Sequence, residues 1–396
     1  MATGTSAGLL DSSGHAQSVF KHEILRQYMP IFVAMLGSYS DGKRVVVLDG
    51  FAGRGRYPDG TPASAELILR AMESLKHSRQ VSAFFVEKNE KDHQALSAVV
   101  DEYVTRGLLA KALPGVVEEH LDTVVTAANG VPLFLFLDPC GANLPFTQLA
   151  EVLAGPRRHV RPQTELLLNF SADLSRRAAG ALNAGQLGHP IISLMDDTCG
   201  GTWWRDTARA ALSKPMTRNF EPVAAAIAQE YAERLARAGS MLQVTVPVRR
   251  RMHHQPIYHL VFLTRSQYGL WVFADALGKA RQAWLRVLGA VDDEDTGGML
   301  FTPTDSMEWI IEAEEDRAKK TIIKNMRILA TKRSRFKLVD HALDIYGKAY
   351  GVATDSSVAA ALHALKTSGD LVVYQNASRL RERVVGRGPN LQLAPR

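Results

Sequence analysis

Three carboxylates carry the first chemical reading of this chain. Asp49, Glu87 and Asp138 each close an apolar run, Val45–Leu48, Val81–Val86 and Val131–Leu137. Runs of that length read as buried strands of a parallel sheet, and their carboxyl ends form the edge where such sheets bind ligands. After Asp49 the chain turns through Gly50-Phe51-Ala52-Gly53-Arg54-Gly55. Gly50, Gly53 and Gly55 permit positive φ and a close backbone approach to a ligand. Backbone N–H groups of this turn can meet a carboxylate, and Asp49 can meet an amine. Glu87 suits a ribose diol, because one carboxylate accepts two hydrogen bonds. Asp138-Pro139-Cys140-Gly141 stands where a substrate would face a bound nucleoside. A carboxylate there can accept from an exocyclic amine and orient its lone pair. Blander readings exist for each: an ordinary surface loop, a solvated strand end, an Asp-Pro turn.

The elements around these residues alternate. Helical spacing marks 19–36, with Pro30 expected to kink or divide it, and then 64–72, 92–105, 116–128 and 146–153. Between them lie the three runs above, a weaker strand near 110–113, and Thr164–Phe170, which ends in Asn169 and Phe170. This order predicts an α/β fold, a Rossmann-like doubly wound sheet. Residues 171–218 read as an irregular insertion over the sheet edge. A long helix at 222–238 follows, then a hairpin of Leu242–Val248 and Ile257–Thr264 added to the sheet, then a helix over 269–288. The acidic link 292–298 is the expected domain boundary, giving domains at 19–291 and 299–396. In the second, helices at 307–332, 336–350 and 356–366 precede a strand at 371–374, a Gly-rich tip and a last strand at 390–393. That is the order of a winged-helix-like α+β module. Lys332, Arg333, Arg335, Lys337, Arg379, Arg381, Arg383 and Arg387 could meet nucleic-acid phosphates there, or form a solvated basic face.

With 396 residues, 46% hydrophobic and 22% charged, the chain has ordinary globular composition and room for two or three domains. No long uncharged apolar run predicts a membrane span, and residues 1–18 look like a flexible polar segment rather than a secretory signal. Two distant cysteines, Cys140 and Cys199, suit a reducing cytoplasm and offer no metal-ligand spacing. Nothing beside Cys140 would activate its thiol, so it reads as a small buried residue. A net charge of +6 permits nucleic-acid contact without requiring it.

The glycine turn lacks the Lys-Ser/Thr ending of a triphosphate loop, which disfavours ATP hydrolysis, and Arg56–Gly60 continues as loop, which disfavours a dinucleotide fingerprint. Together the strand ends match a class I S-adenosylmethionine-dependent methyltransferase. In that reading Asp49, Gly50, Phe51, Ala52, Gly53, Gly55 and Glu87 hold S-adenosylmethionine. Asp138 and Pro139 form the catalytic turn, and Asn169, Phe170 and Tyr57 contact the acceptor, for which a nucleic-acid base amine is one candidate. A metal-dependent nuclease built on Asp49, Glu87 and Asp138 is the remaining enzyme alternative.

Asp49-Gly50-Phe51-Ala52-Gly53-Arg54-Gly55-Arg56-Tyr57 with Asp59-Gly60 resembles the three-Cys-motif partner proteins. The resemblance extends through Asp138-Pro139-Cys140-Gly141, Leu168-Asn169-Phe170, Trp203-Trp204-Arg205 and Tyr258–Arg265, covering most of 17–290. Two departures stand out: Ala63-Ser64-Ala65 matches the family's Gly-Ser-Pro only at Ser64, and Cys140 replaces an aromatic residue. The resemblance implies a methyltransferase-like fold. It also implies a second reading, a non-catalytic partner of a three-cysteine radical-SAM-like protein.

Overall fold

The computed structural model describes residues 16–139, 141, 145–213, 220–296 and 303–392. Most of the expected flexible segment 1–18, and Cys140 with it, lies outside the described residues. The chain divides into two compact units, one of Met29–Arg265 and one of Ser18–Tyr28 with Ser266–Arg396. The division falls at the end of the last large strand, and helix α10 (Gln267–Thr296) runs on into the acidic link as far as Thr296.

Seven strands build the first unit: β1 (Arg44–Asp49), β2 (Gln80–Glu87), β3 (Leu109–Pro114), β4 (Leu133–Leu137), β5 (Thr164–Ser171), β6 (Leu242–Arg249) and β7 (Pro256–Thr264). Their order is β3-β2-β1-β4-β5-β7-β6. The first five are parallel, while β7 runs antiparallel to both β5 and β6. The expected hairpin therefore exists, but its second strand is the one that joins the sheet. The crossovers are α2 (Ser64–Leu75), α3 (Glu90–Val104), α4 (Val117–Ala127) and α5 (Phe146–Ala154), preceded by α1 (Ala16–Gly37). Pro30 lies inside α1 without dividing it, and the two units part company one residue earlier.

Alternation along β1 shows why a continuous apolar run is needed. Val46 and Leu48 enter the core with Leu121 and Val124 of α4 and Leu149 and Leu153 of α5. Val45 and Val47 are equally buried and point the other way, since successive side chains of a strand face opposite sides. On β4, Phe134 meets Phe32 of α1 at 5.1 Å. Both faces are thus covered, as a parallel sheet requires.

Residues 171–218 correct the expectation of an irregular insertion. They form α6 (Ala172–Asn183), α7 (Pro190–Cys199) and α8 (Trp203–Leu212), joined by α9 (Glu221–Gly239). Ser171 caps α6 by accepting from the Leu174 N–H at 3.1 Å. Ala178, Ala179, Ile192, Trp204, Ile227 and Tyr231 from these helices belong to the main core. Trp204 is fully buried and donates its indole N–H to Asp196 at 2.8 Å. The Trp203-Trp204-Arg205 segment is therefore a packing element. Cys199, also buried, has its thiol pushed above its ordinary range by burial, beyond any nucleophilic use.

In the second unit, α11 (Pro303–Lys332) is followed by β8 (Arg335–Lys337), a short helix α12 (Ala342–Tyr346), α13 (Asp355–Thr367), β9 (Leu371–Gln375) and β10 (Val384–Arg387). The three strands pair in the antiparallel order β8-β10-β9. The expected helix at 336–350 is broken. Its first residues pair with β10, and Gly347, at φ 47°, ends the helical turn. Among the described residues the final strand is Val384–Arg387, and 390–392 of the expected strand at 390–393 are not in a strand, residue 393 lying outside the described residues. Of the basic residues singled out here, Lys337 pairs with Glu382 at 2.5 Å and Arg335 stacks on Tyr374 at 3.9 Å. Among the described residues, no helix is long and apolar enough to cross a membrane.

Gly50 shows how tightly the strand end is fixed. A Cβ there would stand 2.6 Å from Leu137 Cδ2 and 2.8 Å from Val117 Cγ2. Gly50→Ala is expected to cost about 2 kcal/mol by overpacking. A thermal melt should fall by several degrees; an unchanged midpoint would show that the contact relaxes freely.

Candidate active site at the sheet switch point

In the order β3-β2-β1-β4-β5, the crossovers after β1 and β4 leave in opposite directions, and in open α/β sheets this switch point is where the ligand crevice lies. The loops at that point are Gly50–Gly55 and Asp138–Pro139. The structure brings Asp49, Glu87, Asp138 and Asn169 to this one edge, as the strand ends predict.

Asp49 is fully buried. One carboxylate oxygen accepts the Phe51 N–H at 3.2 Å and the other the Ser64 hydroxyl at 2.7 Å. Ser64 thus ties α2 to β1 instead of capping α2, whose N-cap position is Ala63. With no exposed surface, Asp49 shapes the turn and does not reach a ligand amine directly, which corrects its expected role. Burial raises its pKa to about 7, and nearby Asp138 and Glu87 push the same way against the Ser64 and Phe51 hydrogen bonds. Because the folded-state pKa lies above the unfolded value, this group's stability contribution is full below pH 3.8 and is lost as pH rises to about 7. The loss amounts to about 4 kcal/mol. Asp49→Asn is expected to flatten that decline, measured as urea midpoints at pH 4.5 and 7. Parallel slopes in parent and variant would contradict it.

The glycine turn is held by its own hydrogen bonds. Gly50 N–H donates to Phe136 O at 2.9 Å, Ala52 N–H to Val86 O at 2.9 Å, and Gly55 N–H to Ala52 O at 3.4 Å. Gly53 N–H donates to Glu87 Oε2 at 2.9 Å. The expectation that Phe51, Ala52 and Gly53 offer free N–H groups to a carboxylate is therefore not met. Gly53 and Gly55 have positive φ, 58° and 76°, and Gly55 also packs against Leu96 and Val99 of α3. Gly50 has no positive φ; it is glycine for want of space. Phe51 is half-buried against the core.

Glu87 is the hub between the loops. Its second oxygen accepts the Asn89 N–H at 2.7 Å. Each oxygen keeps a further lone pair, since a carboxylate has about four acceptor sites, and the side chain is half-buried. Two arginines fix the turn that Glu87 clasps. Arg54 meets Asp92 of α3 at 2.6 Å, and Arg56 reaches Glu66 of α2 at 2.7 Å and Glu102 of α3 at 2.9 Å. Burial opposes the Glu66 charge, yet hydrogen bonds from Arg56, Arg70 and Tyr103 hold its carboxyl below the usual range. Sequence reading missed these anchors, because only the helix phases of residues far downstream could have indicated them. Tyr57 sits half-buried in a tight turn closed by its own N–H to Thr61 O at 2.8 Å.

On the acceptor side, Asp138 and Pro139 are half-exposed. The Asn169 amide N–H₂ donates to Asp138 Oδ1. Asn169 is buried, and its carbonyl Oδ1 has no hydrogen-bond partner among the described residues. This amide orientation follows from the network, since the reverse would oppose two acceptors. Phe170 corrects its predicted role. One residue further along β5, it faces the opposite side, is buried, and packs on Tyr231 at 4.6 Å. It is core, not an acceptor contact.

No known family model matches the chain, and no curated protein matches it. Solved structures overlap it in part. A Staphylococcus aureus protein provisionally classed as a caffeoyl-CoA O-methyltransferase is 10% identical, with 60% of this chain and 81% of that one covered at a TM-score of 0.30. A geranyl diphosphate methyltransferase solved with GPP and sinefungin is 10% identical, with 59% and 77% covered at 0.24. Its complex with SAM is also 10% identical, with 59% and 84% covered at 0.23. The strand order and the two loops at the switch are this chain's own and do not depend on those overlaps. The first unit is a Rossmann-like α/β sheet of the class I methyltransferase type, set apart from the six-stranded dinucleotide order by its antiparallel β7.

Proposed function

We propose that this chain is an S-adenosylmethionine-dependent methyltransferase that acts on an exocyclic base amine of a nucleic acid. One observation carries the reading. At the carboxyl edge of the sheet, a ribose-type acceptor, Glu87, ends β2 beside the β1 turn, and an amine-type acceptor pair, Asp138 with Asn169, stands at the ends of β4 and β5. The chain's residues fit the nucleoside end of the cofactor: Glu87 keeps lone pairs for two hydroxyls, and half-buried Phe51 offers an apolar surface. Asn169 Oδ1, buried and unpartnered, calls for a donor beside Asp138. The cofactor's tail carboxylate would have to find partners other than the amides of residues 50–53.

When bound, the cofactor supplies an electrophilic methyl group on a good leaving group. Asp138 accepts one amine N–H, which turns the nitrogen lone pair toward that methyl. Asn169 holds Asp138 in place and can accept the second N–H. The nuclease alternative has no support here. Among the described residues no group of three His, Cys, Asp or Glu side chains is arranged to hold a metal ion, and Asp49 is buried in its turn.

The test is transfer of label from methyl-labelled S-adenosylmethionine to single-stranded DNA and RNA by the full chain. Label in an exocyclic amine is the expected result. Cofactor binding with no transfer to either polymer would overturn the assigned acceptor.

A further inference from the structure

The β6–β7 hairpin ends in Arg249-Arg250-Arg251-Met252-His253-His254-Gln255, a stretch without a carboxylate. Its position gives this composition meaning. Because β7 runs antiparallel to β5, the tip projects from the same sheet edge that carries Glu87 and Asp138. Leu137 lies opposite Leu168, and Asn169 opposite Leu260, so Asp138, Asn169 and Leu260 share one level. Pro256, four residues before Leu260, therefore stands about 13 Å beyond that level, and β7 lies two strands, about 10 Å, to the side of β4. A strand bound at Asp138 and running along this edge toward β7 would reach the tip.

The tip is a built turn, not a loose arm. Arg249 Nη1 donates to His254 O at 2.6 Å, and Nη2 pairs with Glu221 at 2.6 Å. The His254 N–H donates to Arg251 O at 3.1 Å, and the His253 and His254 rings meet edge to face at 4.5 Å. This scaffold leaves Arg250, Met252, His253 and His254 exposed. Arg250 makes no ion pair among the described residues. Behind the turn, Arg176 of α6 donates to Pro256 O, and Arg177 is exposed beside it. The carboxylates of this region, Glu221 and Asp173, are already engaged with Arg249 and with Arg176 and Arg177. With those carboxylates engaged, exposed Arg250 adds positive charge at the tip that no ion pair among the described residues answers, beside exposed Arg177. An edge-strand tip bears charge to block sheet-to-sheet pairing, but that need is met by one or two side chains. Arginine forks match phosphate oxygens, and exposed rings and a thioether offer a surface to bases, which favours a nucleic-acid strand over an acidic peptide.

We propose that the Arg249–Gln255 hairpin tip is a phosphate-backbone clamp that docks a nucleic-acid strand across the edge beside Asp138. This rests on the reading of that edge as the place where a nucleic-acid acceptor is methylated. The experiment is fluorescence anisotropy of the full chain with a labelled 20-nucleotide DNA strand and its RNA counterpart, titrated at several salt concentrations. For Arg250→Gln with Arg177→Gln, both at exposed side chains, affinity is expected to fall about tenfold at low salt, and the slope of log K against log salt to shrink by about 1.4. The single Arg250→Gln should shrink it by about 0.7, and Arg250→Lys with Arg177→Lys should retain the parent slope. Lys332→Gln with Arg333→Gln, in the second unit, should leave the slope unchanged. Parent-like slopes in the Arg250 variants, loss of slope in the Lys332 variant instead, or polyglutamate competing as well as the oligonucleotide would each overturn the clamp. Calorimetry with S-adenosylhomocysteine on the same samples separates the two readings. A parent that binds oligonucleotide through Arg250 but not the cofactor would refute the methyltransferase and leave the clamp standing.

Discussion

Glu87→Ala is expected to weaken S-adenosylmethionine binding about 100-fold while leaving the fold intact. The side chain is a carboxylate at the end of β2, and both of its oxygens are oriented by backbone N–H groups, Gly53 at 2.9 Å and Asn89 at 2.7 Å. Those bonds fix the carboxylate and leave its outer lone pairs for two ribose hydroxyls. Hydrogen bonds to a charged acceptor contribute about 1.5–3 kcal/mol each. Losing two that act as a unit gives about 3 kcal/mol, or roughly a hundredfold in Kd. The substitution also frees the Gly53 amide, so the turn loses one of its anchors, while Arg54 and Arg56 still hold it to α2 and α3. Glu87→Gln keeps one acceptor oxygen and should fall between, near tenfold. The measurement is a calorimetric titration of each variant beside its melting curve. Parent-like affinity in the alanine variant would remove Glu87 from the cofactor site.

Asp138→Ala should act on rate rather than on cofactor affinity. Its carboxylate sits at the end of β4, half-exposed and fixed by Asn169. Orienting an amine and accepting its proton is worth about 10²–10⁴ in rate. The cofactor Kd should stay within about threefold, since Glu87 and Phe51 are untouched. The substitution carries a structural cost, because the buried Asn169 amide loses its acceptor, about 1–3 kcal/mol. Asp138→Asn preserves volume and separates that cost from the chemistry. Single-turnover label transfer at saturating cofactor is the measurement. A rate within threefold of the parent in a folded alanine variant would remove Asp138 from the chemistry.

Sequence carried the sheet well and its hydrogen-bonding poorly, for physical reasons. Val45–Asp49 and Leu133–Leu137 are buried on both faces, so an unbroken apolar run is the only solution, and it is visible. The α6–α8 region was hidden because its helices are short and, in α6 and α8, lean on alanine. Ala178 and Ala179 bury no large side chain, so the stripe that marks a helix is faint there. The second-unit segment 336–350 was misread because β8 takes its first residues into a strand pair, a tertiary choice that overrides helical periodicity. At the site, the strand-end carboxylates were legible by type and place. What they bind was not, since Gly53 and Glu87 are 34 residues apart and Asn169 and Asp138 are 31 apart. The glycine turn therefore looked open to a ligand when its amides already serve Asp49, Val86 and Glu87. Phe170 differed from Asn169 only by strand phase, which decides between core and crevice.

The central claim is that the crevice between β1 and β4 holds S-adenosylmethionine. Isothermal titration of the full chain with S-adenosylhomocysteine addresses it most directly. Saturable binding of one ligand per chain, reduced about 100-fold in Glu87→Ala and retained in Asp138→Ala, is the predicted result. A folded parent chain that takes up no ligand, or one whose binding is indifferent to Glu87→Ala, would contradict it.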